Sequence, residues 1–251
     1  MITKSQKQLI KSLRHKKYRE LNGLFVIEGL KCVQEAIKND LPLTQIFCTD
    51  KFFDYFKKQT ELTVFISEKE MEQISFLTHF SGALALCRLS DSLPIPISGE
   101  PKHWNLVLDE ISDPGNLGSI LRLADWFALP TLWISKNTVD VYNPKVIQSS
   151  MGSFSRVRVF YTDLDKVLSQ THLPIWGASL EGDNIYHQSF PESGWLIMGN
   201  ESRGISPGLQ RYISKRVSIP RFHPKSTVES LNVAMATSVF LSELRRCIFT
   251  R

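Results

Sequence analysis

A chain of 251 residues has room for one large domain or two small ones, and either can bury a core. Its 42% hydrophobic and 22% charged residues are those of a soluble globular protein, and no apolar run approaches the ~20 residues that cross a bilayer. The net charge of +5 is unevenly placed: residues 1–19 hold Lys4, Lys7, Lys11, Arg14, Lys16, Lys17, Arg19 and no acid, which leaves −2 on the remainder. One end of the protein therefore carries the electrostatic footprint a polyanion would meet. Four widely separated cysteines, Cys32, Cys48, Cys87 and Cys247, have no metal or redox spacing. They read as free thiols in a reducing compartment, so the expected location is cytoplasmic and no metal is implied.

Thr3 and Gln6 have capping-box spacing, which predicts a helix from about residue 4. Leu9, Ile10 and Leu13 form its apolar stripe, and Lys4, Lys7, Lys11 and Arg14 share another face, suited either to RNA phosphates or simply to solvent. Strands are then expected at 24–27, 46–49, 64–67 and 83–89, with helices at 31–38 and 68–74. Such alternation argues for an α/β sheet with helices on its faces. Residues 90–103 change character, with Pro94, Pro96 and Pro101 in a polar run. Prolines there favour extended backbone and predict a linker between domains at 1–95 and 104–251.

From Trp104 the alternation resumes. Strands are predicted at 105–109, 131–135, 157–161, 175–178, 195–199 and 217–219, and helices at 117–128, 144–151, 164–170 and 231–247. The expectation is a second α/β domain with a mostly parallel sheet.

Three stretches carry the chemistry, two at strand ends and one at the start of the last helix. The first, Leu108-Asp109-Glu110-Ile111-Ser112-Asp113-Pro114-Gly115-Asn116, passes through a proline-glycine turn into a helix bearing Arg122. The second is Gly199-Asn200-Glu201-Ser202-Arg203-Gly204, whose glycines allow close backbone approach to a ligand. The third, Ser230-Leu231-Asn232-Val233-Ala234, opens the last helix with Ser230 as its expected N-cap. Taken singly, the first two are ordinary strand-end loops and the third a capped core helix. Phosphate-loop, dinucleotide, zinc-protease and serine-hydrolase signatures do not occur in the sequence.

In this order and spacing, the three stretches resemble the signature motifs of the SpoU (TrmH-type) RNA ribose methyltransferases of the SPOUT superfamily. The resemblance implies a SPOUT (alpha/beta knot) methyltransferase domain with a trefoil knot, preceded by a smaller L30e-like α/β domain that binds substrate RNA. It implies a homodimer and transfer of a methyl group from S-adenosylmethionine to a ribose 2′-hydroxyl, in ribosomal more than transfer RNA. Arg122 matches the family's catalytic arginine, with Asn116, Glu201, Ser230 and Asn232 completing the catalytic set. Ala178, Gly199, Ile219 and Leu231 match cofactor-binding positions, and Lys4, Lys7, Lys11, Arg14, Lys16 and Lys17 are the candidate RNA contacts. The loop 221–228 is longer than the family's turn and lacks glycine, which puts the cofactor-loop geometry in question. The alternatives are a transfer-RNA or base methyltransferase on the same fold, or a silent RNA-binding or ribosome-assembly factor.

Overall fold

The computed structural model describes residues 2–80, 82–89, 103–223 and 225–249. The proline-bearing stretch 90–102, on which the domain boundary is expected, lies outside the described residues. Two compact units are present: Met1–Asp91 together with Asp140–Arg156, and Ser92–Val139 together with Val157–Arg251. The segment Asp140–Arg156, expected within the second domain, thus packs in the first unit.

The first unit opens with α1 (Lys4–Ser12), and the Thr3–Gln6 capping box forms as the spacing predicts. A second helix, α2 (Lys16–Asn22), follows after a break that the charge pattern gave no hint of. At that break Leu13 is fully buried and Arg19 is 2% exposed. The Arg19 guanidinium donates to the carbonyls of Leu13 (2.8 Å) and Arg14 (2.9 Å), and to Asp140 Oδ2 (3.0 Å). One of the seven terminal cations is therefore structural: it satisfies carbonyls that the helix break leaves without partners. Gly23, at φ 62°, ends α2 in the left-handed conformation.

Strands β1 (Leu24–Glu28), β2 (Leu43–Cys48), β3 (Thr63–Phe65) and β4 (Ala83–Arg88) form a sheet in the order β1-β4-β2-β3. Only the β2–β3 pairing is parallel. Alternation along β1 sets the layers. Phe25 and Ile27 point to one face, with Val33 and Ala36 of α3 (Leu30–Lys38) and with Ile147. Val26 points to the other face, with Ile10 and Leu13 and with Met71 and Ile74 of α4 (Glu68–Ile74). Residues Asp50–Leu62 form 3-10 turns that sequence periodicity did not reveal, because Phe56 and Gln59 leave helical geometry.

In the second unit, β5 (Trp104–Leu108), β6 (Thr131–Ser135), β7 (Arg158–Thr162), β8 (Ile175–Asn184), β9 (Gly194–Met198) and β10 (Lys215–Ser218) form one sheet in the order β10-β8-β9-β5-β6-β7. Every pairing is parallel. The central strands β5 and β9 are buried along their whole length, as strands covered on both faces must be. Helices α5 (Pro114–Trp126), α7 (Leu164–Leu168), α8 (Pro207–Gln210) and α9 (Val233–Phe249) belong to this unit, and α9 packs on α5. The crossover from β6 to β7 carries α6 (Pro144–Ser150), which lies in the first unit.

β8 extends six residues past its expected end because its pairing with β10 resumes after a bulge between Arg216 and Val217. There Gly182 faces backbone so closely that a Cβ would sit 2.8 Å from the Arg216 carbonyl carbon. Among the described residues, no helix is long and apolar enough to cross a membrane.

Cys32, Cys48 and Cys87 are buried in the first unit. Burial raises the Cys32 thiol and pushes Cys48 up to about 11 and Cys87 up to about 12. Since the thiolate is the nucleophile, these three remain inert at pH 8 and Cys247, half-buried, is the one that reacts. Thiol titration of the native protein is expected to count about one group, and of the denatured protein all four, with mass spectrometry locating the native label on Cys247.

Candidate active site

Ligand sites of parallel sheets form beyond the carboxyl ends of the strands, and β5 and β9 end side by side at Leu108 and Met198. Past β5, Asp109 is buried and accepts the Ser206 N–H at 2.8 Å. Glu110 then adopts a positive φ of 57°. Four bonds hold it there: its N–H donates to Ser135 Oγ (2.8 Å), its carbonyl accepts from Asn200 Nδ2 (2.7 Å), and its carboxylate accepts from Asn137 (3.0 Å) and pairs with Arg203 (2.7 Å). Asp113 caps α5 by accepting the Asn116 N–H at 2.9 Å, with Pro114 at the first helical position.

The loop after β9 closes on itself. Asn200 and Gly204 exchange two backbone hydrogen bonds, at 3.0 and 2.9 Å, and Asn200 Oδ1 accepts the N–H groups of Ser202 and Arg203. A Cβ on Gly199 would lie 2.3 Å from the Gly204 carbonyl carbon, so only glycine fits at position 199. This closure presents the Glu201 side chain toward α5.

Three of the expected catalytic residues meet. Asn116 Nδ2 donates to Glu201 Oε1 at 2.7 Å, and Asn232 Nδ2 donates to Asn116 Oδ1 at 2.8 Å. The Ser112 hydroxyl lies 3.5 Å from Glu201 Oε2 and extends the group, a contact the sequence did not single out. Asn232 also caps α9, accepting the N–H of Ala234 at 2.9 Å. That corrects the expectation for Ser230: α9 starts at Val233, two residues after the predicted start, and the cap is Asn232 while Ser230 is exposed.

Arg122 does not join this cluster. It is exposed on α5, on a face shared with Gly115, Ser119 and Trp126, and its guanidinium makes no hydrogen bond or ion pair with any described residue. Six positions separate it from Asn116, about 120° around the helix. Its fork stands open to a ligand.

Beside the cluster is a cavity of about 660 Å³. Ala178, Gly199, Ile219 and Leu231, the four expected cofactor positions, all line it, together with Glu201 and Ser230. The bulged part of β8 contributes Leu180 to its wall, a residue the prediction missed because the strand was taken to end at Ala178. Ile205 and Ile213 also reach it from neighbouring loops, and Arg216 from β10. The long loop of 221–228 is tied back by Arg221, which donates to the carbonyls of Ser226 (3.3 Å) and Glu229 (3.2 Å). Among the described residues, no group of three or more His, Cys, Asp or Glu is placed to hold a metal.

The candidate RNA contacts lie in the first unit. Lys4, Lys11 and Lys17 are exposed, and Lys16 is exposed but pairs with Glu20 at 3.7 Å. Lys7 donates to Gln73 at 2.7 Å, and Arg14 lies over the Phe76 ring, 4.7 Å from its centroid.

Comparison with known proteins agrees with this geometry. Residues 103–242 match the SpoU rRNA Methylase family, and residues 5–85 match the MRM3-like substrate binding domain. The 23S rRNA (guanosine(2553)-2′-O)-methyltransferase RlmP of Bacillus subtilis is 27% identical over 241 residues, which is 94% of each chain. A solved structure from Porphyromonas gingivalis, assigned to the TrmH family of RNA methyltransferases, is 33% identical with a TM-score of 0.84, covering 98% of this chain and 99% of the other. The SpoU methyltransferase AviRb of Streptomyces viridochromogenes, solved with AdoMet, shares the fold at 22% identity and a TM-score of 0.85, over 99% of both chains. Two motifs at strand ends and one at the start of α9, the parallel sheet beside them and the match over 103–242 have one common reading: the chain belongs to the SpoU rRNA methylase family.

Proposed function

We propose that this protein transfers a methyl group from S-adenosylmethionine to a ribose 2′-hydroxyl of ribosomal RNA. The observation that carries the reading is the Glu201–Asn116–Asn232 chain at the edge of a cavity lined by all four expected cofactor positions. The cavity suits the cofactor on its own terms. Its 660 Å³ lies within the range of small-molecule sites, and Ile205, Ile213, Ile219 and Leu231 give apolar wall for an adenine. Glu201 adds a carboxylate to the lining, which would favour a positive sulfonium.

When bound there, S-adenosylmethionine supplies an electrophilic methyl group. Gly199 and Leu231 would hold it through backbone groups, and Ala178 and Ile219 would close the cavity around it. Asn116 and Asn232 fix the Glu201 carboxylate, and Ser230 adds a hydroxyl at the rim. Arg122, exposed on α5 outside the cavity lining, would grip an RNA phosphate by its bidentate fork and so position the ribose for transfer. A free guanidinium does not take a proton near neutrality, so its part is positioning and charge stabilisation of the developing alkoxide.

The ribosomal reading is supported by the named activity of the B. subtilis relative; a transfer-RNA acceptor is the second reading. Four free cysteines fit action in the cytoplasm. The working unit is a homodimer. On the packed helices α5 and α9, Trp126 is 84% and Met235 63% exposed, apolar surface of the kind that pairs with a second copy. Light scattering on the purified protein is expected to give twice the chain mass at micromolar concentration, and a monomer there would count against the assembly.

Labelled methyl from S-adenosylmethionine is expected in alkali-resistant dinucleotides of undermethylated ribosomal RNA. Label confined to mononucleotides would mean a base acceptor, and absence of both label and cofactor binding would favour the silent RNA-binding factor. Arg122→Lys keeps the charge but loses the fork, and kcat/KM is expected to fall about 100-fold. Near-full activity in that variant would remove the phosphate grip from the mechanism.

Deleting residues 1–19 would take away buried Ile10, Leu13 and Arg19, so substitution is the cleaner probe of the basic face. Replacing Lys4, Lys11 and Lys17 by Gln is expected to lower the slope of log K against log salt by about 2, at ~0.7 per lost phosphate contact. An unchanged slope would return these lysines to the solvent.

A further inference from the structure

The first unit contains a second cavity, of about 360 Å³, where the end of β1, the segment after α4 and the start of α6 come together. It is lined by Arg14, Glu28, Phe76, Pro144, Lys145 and Gln148 among others. Resting on the reading of this unit as RNA-binding, we propose that the cavity is a subsite for one unstacked guanine nucleotide of the substrate RNA. Glu28 accepts from the base edge, Arg14 stacks on the base, and Arg14 and Lys145 flank the phosphate.

Three features point to this occupant. The first is the approach. The basic face of α1 leads toward the cavity: Lys11 lines a surface hollow together with Arg14, two residues past the helix, and Arg14 also lines the cavity. A nucleic-acid strand attracted by that face is led to the cavity mouth. The second is the platform. The Arg14 guanidinium is held over the Phe76 ring at 4.7 Å and donates to the Ser75 carbonyl at 3.2 Å. A guanidinium fixed in this way offers an outer surface to a base, a usual means of holding single-stranded RNA.

The third is the carboxylate, an acid otherwise out of place beside phosphate-seeking cations. Glu28 is 8% exposed, with one oxygen accepting from the Ser75 hydroxyl and the other from the Phe76 N–H at 2.8 Å. Each carboxylate oxygen can accept a second bond, so the group is fixed in place with acceptor capacity remaining. Its pKa stands above the ordinary carboxylate value, because burial outweighs the lowering by the Ser75 and Phe76 bonds and the Arg14 charge. A carboxylate only accepts when ionised. Among the four bases, only guanine presents two adjacent donors, N1–H and N2–H₂, on one edge. Adenine and cytosine set an acceptor nitrogen beside their amino group, and uracil places its single N–H between two carbonyls. The donor pattern therefore selects guanine.

The test uses the full-length protein and fluorescein-labelled nonauridylate with its central residue left as uridine or replaced by guanosine, inosine or adenosine. Anisotropy titrations are expected to show the guanosine oligomer bound at least about fivefold more tightly than the uridine and adenosine ones, the low end for a bidentate base contact. Inosine, which lacks the N2 amino group, is expected to fall between. Glu28→Gln is expected to erase the preference with the salt slope unchanged. Arg14→Gln is expected to weaken all four oligomers and to lower the slope by about 0.7. Equal affinities in the wild-type protein, or a preference that survives in a Glu28→Gln protein of unchanged melting temperature, would overturn the subsite. Binding without preference overturns the subsite alone, whereas no binding of any oligomer overturns the RNA reading of this unit with it.

Discussion

The amide of Asn116 is the group on which the geometry of the candidate site depends. An asparagine has a donor end and an acceptor end, and both are committed in one direction here: Nδ2 to Glu201 and Oδ1 from Asn232. Glu201 can only accept when ionised, and Asn232 must donate because its own oxygen caps α9. The polarity of the chain is therefore set at both ends, and Asn116 is oriented by its neighbours. Segments 85 and 116 residues away in sequence are brought to one point by two bonds. A shared network of this kind rigidifies only while every member is satisfied. That explains why an α5 residue with no place in the cavity wall still belongs to the site.

Holding the Glu201 loop in position is a separate problem, solved with backbone. A positive φ at a non-glycine residue is uncommon and needs surroundings that impose it. Glu110 has them, and one of its bonds comes from the Asn200 side chain in the very loop that carries Glu201. The loop's own closure then requires glycine at 199, where even one extra carbon would collide with the Gly204 backbone. The strand ends, the Glu110 turn and the Asn200 loop form one rigid corner of the parallel sheet. Chemistry that depends on placing a methyl donor against an oxygen benefits from such a corner.

Much of this was legible in the residues, because the relevant physics is local. The capping box at Thr3 forms as spelled, and most strand cores lie where alternation or continuous apolarity placed them. What escaped depends on distant partners. The break after α1 exists because Arg19 and Asp140, 121 residues apart, meet beneath it. The extension of β8 depends on β10 resuming its pairing past a bulge. Ser230 and Asn232 are both good caps, and the choice between them is made by Asn116, which no local pattern reveals. The placement of Asp140–Arg156 in the first unit is of the same kind: Glu35–Arg156 and Asn39–Ser155 contacts hold it there, and neither has a sequence signature.

Arginines in this chain divide by what satisfies their donors, and the division separates scaffold from site. Arg19, Arg221 and Arg245 all turn their forks onto backbone carbonyls at places where the chain breaks or reverses: Leu13 and Arg14, Ser226 and Glu229, Phe127 and Ala128. Five rigid donors make arginine well suited to that work, since a reversal exposes several carbonyls close together. Counting cations near a motif therefore overstates how many can meet a phosphate. Arg221, close to the third motif, is committed to its own loop. Arg122 has no such commitment among the described residues, although it sits on a regular helix beside two glycines and a serine that leave room around it. A helix interior offers no free carbonyls for it to satisfy, so its donors are left for a partner from outside the chain.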